Sequence, residues 1–287
     1  MAQPNFFSDL SLDPLFLSGL AVLSVQALYY AGHWFIGGRS QKERAVEGFE
    51  HVFLSGVLFG LALALVNFAL WGLNVYLDLA GVKPPPGGAI ATLNQVKGWQ
   101  DFGTNVQTAL SVAERTYRSY ADAARDILAA YAAAVVGFGL PPWTSPISMA
   151  ITNVYAFLVS SATAVLVSAG VYAVAAALAR TWPALLPLGA VLVTYERTRH
   201  LGAWLLAVSV VAPIVLAAGV DVLSSAVKPD EIRKLRELVT PLFFTVPNAD
   251  PVLKAMILLG LIGLTLGVVS YAASRLFDHA GASLSLD

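Results

Sequence analysis

Residues 147–179 run for about 33 positions without a formal charge, and a helix of that length would be roughly 50 Å long. Water tolerates such a stretch only inside a large core. A bilayer, with about 30 Å of hydrocarbon, accepts it if the helix tilts strongly or projects. Four more stretches are long and apolar enough to cross: 14–36, 52–77, 202–226 and 252–275. Two shorter ones, 127–140 and 182–195, are stopped or opened by prolines. At about 14 residues each is re-entrant or a crossing extended by its flanks. Counting both as crossings makes the pattern of basic residues consistent. The chain is 57% hydrophobic and 12% charged, against roughly 25% charged in a soluble domain. The expected fold is an all-α, polytopic transmembrane helix bundle of six to seven spans.

The segment before the first span holds Asp9 and Asp13 and no basic residue, which is unlike a signal peptide. Basic residues in short loops set orientation. Arg39, Lys42 and Arg44, then Arg197, Arg199 and His200, and finally Arg275 fall on one side if the N-terminus is outside and the C-terminus cytoplasmic. Arg180 and the basic residues of 227–251 depart from the rule. The expected location is the cell membrane, multi-pass, with the lipid bilayer as the first partner.

Three regions follow: an N-terminal two-span unit (1–80), an external linker with a long amphipathic helix (81–131), and a C-terminal multi-span bundle (132–287). The linker opens with Lys83-Pro84-Pro85-Pro86-Gly87-Gly88, an elbow followed by a hinge. After it, Trp99, Phe102, Val106, Leu110, Tyr117 and Tyr120 recur at steps of three and four, the spacing of one helical face. This stripe either packs across the outer ends of the bundle or faces a partner subunit. A nucleic-acid face is the weakest of the three readings. Lys97, Arg115, Arg118 and Arg125 are matched by Asp101, Glu114, Asp122 and Asp126, so the helix has no basic footprint for phosphates. Residues 228–250 read as a short amphipathic surface helix.

Little in the chain carries chemistry. Cysteine is absent, excluding thiol and thiolate-metal sites. No H-E-x-x-H, Walker loop or G-x-S-x-G occurs, and the four histidines have no metal-site spacing; no catalytic residue, cofactor or metal is expected. The polar positions inside or near spans are Gln26, Asn67, Asn74, Asn153 and Asp221. For the four neutral ones interhelical hydrogen bonding is the main expected role and lining a path the alternative. Asp221, a further candidate bundle or path position, lies near a span end where headgroups or water can solvate it. Rows of small residues (Gly56, Gly60, Ala64; Ala169, Ala173, Ala177; Gly263, Gly267) allow close helix packing.

The layout has two N-terminal spans, a long amphipathic helix leading into the membrane, a proline-interrupted central hairpin, and Arg197-Thr198-Arg199-His200-Leu201-Gly202-Ala203-Trp204 opening another span. Over about residues 14–277 it resembles the polytopic membrane subunit of type IV secretion and conjugation systems, and more closely its archaeal relative in the Ced DNA-exchange machinery. The resemblance implies a channel or scaffold subunit of a DNA-translocating machine. It would be present in several copies, as a homo-oligomer or with small membrane proteins, beside a separate ATPase and with DNA in transit. The family has no catalytic signature, so no functional residues carry over. A small-solute permease and a non-transporting scaffold are the other readings.

Overall fold

The computed structural model describes residues 14–79, 86–93, 102–140, 142–239 and 249–284. Among these residues it contains nine α-helices: α1 (Pro14–Ile36), α2 (Arg39–Leu79), α3 (Ala89–Leu93), α4 (Phe102–Gly139), α5 (Ser145–Ala179), α6 (Trp182–Val193), α7 (Arg199–Ala226), α8 (Pro229–Val239) and α9 (Asp250–Leu284). Proline opens many of them. Pro14 and Pro229 are first residues, and Pro146, Pro183 and Pro251 are second. There the missing N–H removes no helical bond and the fixed φ favours the first turn. In α8 the acidic Asp230 and Glu231 sit in the first turn and Arg236 in the last, each charge complementing the helix dipole.

Four helices, α2, α5, α7 and α9, are long and apolar enough to cross a membrane. The apolar stretches 52–77, 147–179, 202–226 and 252–275 lie within them. Residues 14–36 form one further apolar helix, α1, with no Asp, Glu, Lys or Arg in it. The expected 37–51 loop shrinks to Gly37-Gly38, and its basic residues instead form the first turns of α2.

The core is built around α7, which packs against α2, α3, α4, α5, α6 and α9. Two-thirds (67%) of its most apolar stretch is buried, against 28% for α2, 33% for α5 and 22% for α9. Those three turn most of their apolar surface outward. α1 and α2 are antiparallel, with Tyr30 against Phe49 (rings 6.4 Å apart) near their connection. α7 and α9 are also antiparallel: His200 meets Asp278 at 3.1 Å, and Gly219 faces Ile262.

The long amphipathic helix leads into the apolar piece 127–140 as a single helix, α4, antiparallel to α5 with Glu114 on Arg180 at 3.2 Å and Val135 beside Ser148. One expectation is corrected. The pieces 147–179 and 182–195, expected as successive crossings in opposite directions, form no hairpin. α5 and α6 have almost no mutual packing. Arg180 (φ −62°, ψ −19°) and Thr181 (φ −83°, ψ 5°) keep near-helical backbone, so α6 continues α5 after a bend. Apolar length measures whether a segment can cross, not which way it runs.

Candidate functional site

Gln26 lies nearly three turns before the end of α1, is 8% exposed, and its amide donates to the Tyr195 hydroxyl at 3.0 Å. The same hydroxyl shares a 2.6 Å hydrogen bond with Tyr30, four residues on and therefore on the same face of α1. His51 of α2 lays its imidazole against the Tyr195 ring, centroids 5.1 Å apart and planes 32° from parallel. Tyr195 follows α6, where the chain leaves the helix in extended conformation (φ −101°, ψ 127°) before the turn Glu196–Thr198. One phenol thus joins α1, α2 and the α6–α7 connection. Gln26 Oε1 and His51 Nδ1 are buried without a hydrogen-bond partner, leaving the cluster two open hydrogen-bonding positions. It lies at the end where Tyr30 meets Phe49; His200 and Asp278 close the α7–α9 pair at that end.

A second polar arrangement marks the opposite end of α7. Asp221, 5% exposed, accepts from the backbone N–H groups of Ala89 at 3.0 Å and Ile90 at 2.7 Å. It satisfies the free donors that open α3. Gly87 has φ +80°, a left-handed turn suited to glycine. A Cβ on Gly88 would stand 2.7 Å from Asp221 Oδ2. Asp221 is therefore an anchor for the segment after the proline elbow, whose residues 80–85 lie outside the described ones.

A third satisfied group explains Ser18. Pro187 inside α6 has no N–H for the Pro183 carbonyl four residues back. Ser18 Oγ of α1 donates to that carbonyl instead. Exposed backbone polar groups are costly in lipid, so such substitution is the usual remedy at a membrane proline.

The remaining expected positions do not join these clusters. Asn67 Nδ2 donates to the Leu63 carbonyl of its own helix at 3.2 Å, Asn74 is half-buried, and Asn153 is exposed on the α4–α5 hairpin. The stripe on α4 faces inward: Val106, Leu110, Tyr117 and Tyr120 are all buried by the chain itself, which corrects the partner-facing reading for these four. Tyr117 donates to the Leu216 carbonyl at 3.1 Å and Tyr120 to that of Val227, tying α4 across the end of α7. Trp99 lies outside the described residues, as does the side chain of Phe102. Three charges of α4 pair within the chain: Glu114 with Arg118 and also with Arg180, and Asp126 with Arg233 of α8 at 3.3 Å.

Nothing in the linear pattern singles out Tyr30, His51 or Tyr195. The available signal is a run of polar and aromatic residues in an otherwise apolar α1. Among the described residues, no group of three or more His, Cys, Asp or Glu could hold a metal ion. Comparison with protein-family models, curated proteins and solved structures finds no match.

Proposed function

We propose that this chain is a non-enzymatic, multi-pass membrane subunit of a DNA-translocating assembly, acting as channel wall or scaffold. The observation that carries the membrane part is the distribution of apolar surface. α7 is enclosed, while α2, α5 and α9 turn most of their apolar residues outward, a distribution that lipid and neighbouring subunits satisfy and water does not.

In this reading the chain crosses five times: down α1, up α2, down from the bundle-packed end of α5 through α6, up α7 and down α9. The ends near Gly37, Tyr195 and Asp278 then share the cytoplasmic side, in agreement with their basic residues. The connection through α3, the charged first half of α4 and α8 belong to the outer side.

The DNA-transfer part rests on the layout: two N-terminal helices, a long helix leading into an apolar hairpin, and Arg197–Trp204 opening the central helix. The buried positions of α7 are apolar except Ser209 and Asp221. Charged cargo would therefore pass between copies and not through one chain. Purification of the tagged protein in mild detergent, with mass spectrometry of what accompanies it, tests this. A secretion-type ATPase or small two-span proteins are expected. A partnerless monomer, together with unchanged DNA exchange in the host after gene deletion, would overturn it.

A further inference from the structure

The α4–α5 hairpin has two unlike halves. From Ser161 to Ala179, α5 buries Ser161, Ala162, Val165, Ala169, Ala173, Ala176 and Ala179 at helical spacing against the bundle. Between Leu128 and Ser160, among the described residues, the buried positions are Ala134, Ile151, Tyr155 and Leu158. That is a narrow stripe on α5 and a single residue on α4, as two helices packed on each other alone would show. The rest of this half is open and apolar, with Leu140 78% and Trp143 81% exposed at the turn.

We propose that this distal half of the hairpin is embedded in bilayer hydrocarbon. The proposal rests on the membrane reading above. Three observations select lipid over water or a protein partner. Residues 127–179 contain no Asp, Glu, Lys, Arg or His, so no charge on this half requires water, and its one amide side chain is the exposed Asn153. The exposed Ile147, Met149, Val154 and Phe157 fan over about 160° of α5 at roughly 100° per residue. This is wider than the stripe one packed helix covers, whereas lipid covers every side. The hydroxyls of Thr144, Ser148, Thr152, Ser160 and Thr163 donate to carbonyls within the hairpin, which is what hydrocarbon demands of polar groups.

Geometry sets the manner of insertion. α5 has 35 residues, about 52 Å, far longer than about 30 Å of hydrocarbon. The other arm, 128–140, is about 20 Å, short of a crossing. The hairpin therefore enters one leaflet obliquely and returns, with Trp143 at its tip.

The cysteine-free chain suits site-directed spin labelling in phosphatidylcholine nanodiscs. Leu140→Cys, Met149→Cys and Phe157→Cys would be compared with Leu264→Cys on the outward face of α9 and with Asp230→Cys on α8. Accessibility to oxygen matching Leu264, with loss of the nickel-chelate collisions seen at Asp230, is the expected result. Nickel accessibility at the hairpin sites with Leu264 still in lipid would place the hairpin in water and overturn the proposal alone. Protection from both reagents would show a protein cover, a second copy among the possibilities, and overturn it equally. Nickel accessibility at Leu264 itself would overturn the membrane reading, and the hairpin proposal with it.

Discussion

Asp221 holds Ile90: the carboxylate of a buried residue near the end of α7 accepts the N–H of Ile90 at 2.7 Å, and that of Ala89 at 3.0 Å. These residues are more than 130 positions apart in the chain. Replacing Asp221 by Ala leaves two buried donors without a partner, at about 1–3 kcal/mol each. Asp221→Asn keeps one acceptor and is expected to lose less. Gly88→Ala drives a Cβ to 2.7 Å from the same carboxylate and should resemble Asp221→Ala. Thermal unfolding in detergent checks the order; an unchanged Tm for Asp221→Ala would contradict the anchor.

Ser18 and Pro187 are expected to be coupled. Ser18→Ala orphans the Pro183 carbonyl and should cost about 1–3 kcal/mol. In the Pro187→Ala background the residue at 187 has an N–H, so the helix can satisfy that carbonyl itself and Ser18→Ala should become nearly silent. A double-mutant cycle on Tm reads the difference; additive effects would show that Ser18 acts in another way.

The Tyr195 hydroxyl serves two partners. Tyr195→Phe should destabilise by about 1–2 kcal/mol, since it strips a bond from Gln26 and from Tyr30. Gln26→Leu also removes the unpartnered Oε1, and is expected to cost less than Tyr195→Phe. The reverse order in unfolding measurements would mean that Gln26 has a partner of its own.

Close helix packing gives a contrast between two glycines. A Cβ on Gly202 would lie 2.4 Å from the Val193 backbone nitrogen and 2.8 Å from the Gly189 carbonyl. Gly202→Ala should therefore separate α6 from α7 at a cost of about 1–3 kcal/mol. Gly260 has open space, and Gly260→Ala is expected to be neutral or to stabilise by up to about 1 kcal/mol through helix propensity. Equal Tm values for the two variants would contradict the packing.

Several features were legible in the sequence because they are local. Prolines mark the starts of α1, α5, α6, α8 and α9, and uninterrupted apolar runs mark α2, α5, α7 and α9. The spacing of Val106, Leu110, Tyr117 and Tyr120 gave the buried face of α4. What escaped depends on long-range geometry. Tyr195 lies 165 and 169 residues from its partners Tyr30 and Gln26, so no spacing rule connects them. The rows of small residues were a mixed guide. Ala169 and Ala173 are buried and Gly263 faces Tyr172, but Gly60 and Gly267 have open space. The tight approach of Gly189 to Gly202 belongs to no such row. Asp221 stood out as a charge near a span end, but its partners follow the proline elbow, and only the tertiary fold brings them to it.

The most direct test of the account is the sidedness of its two ends. Single cysteines at Glu43, Glu196 and His279, and at Asp122 and Asp230, would be labelled in sealed, right-side-out vesicles with a membrane-impermeant maleimide. Labelling of Asp122→Cys and Asp230→Cys in intact vesicles, with Glu43→Cys, Glu196→Cys and His279→Cys reacting only after lysis, is the expected result. Labelling of Glu43→Cys and Asp230→Cys from the same side would contradict it, because an odd number of crossings separates them in the proposed path.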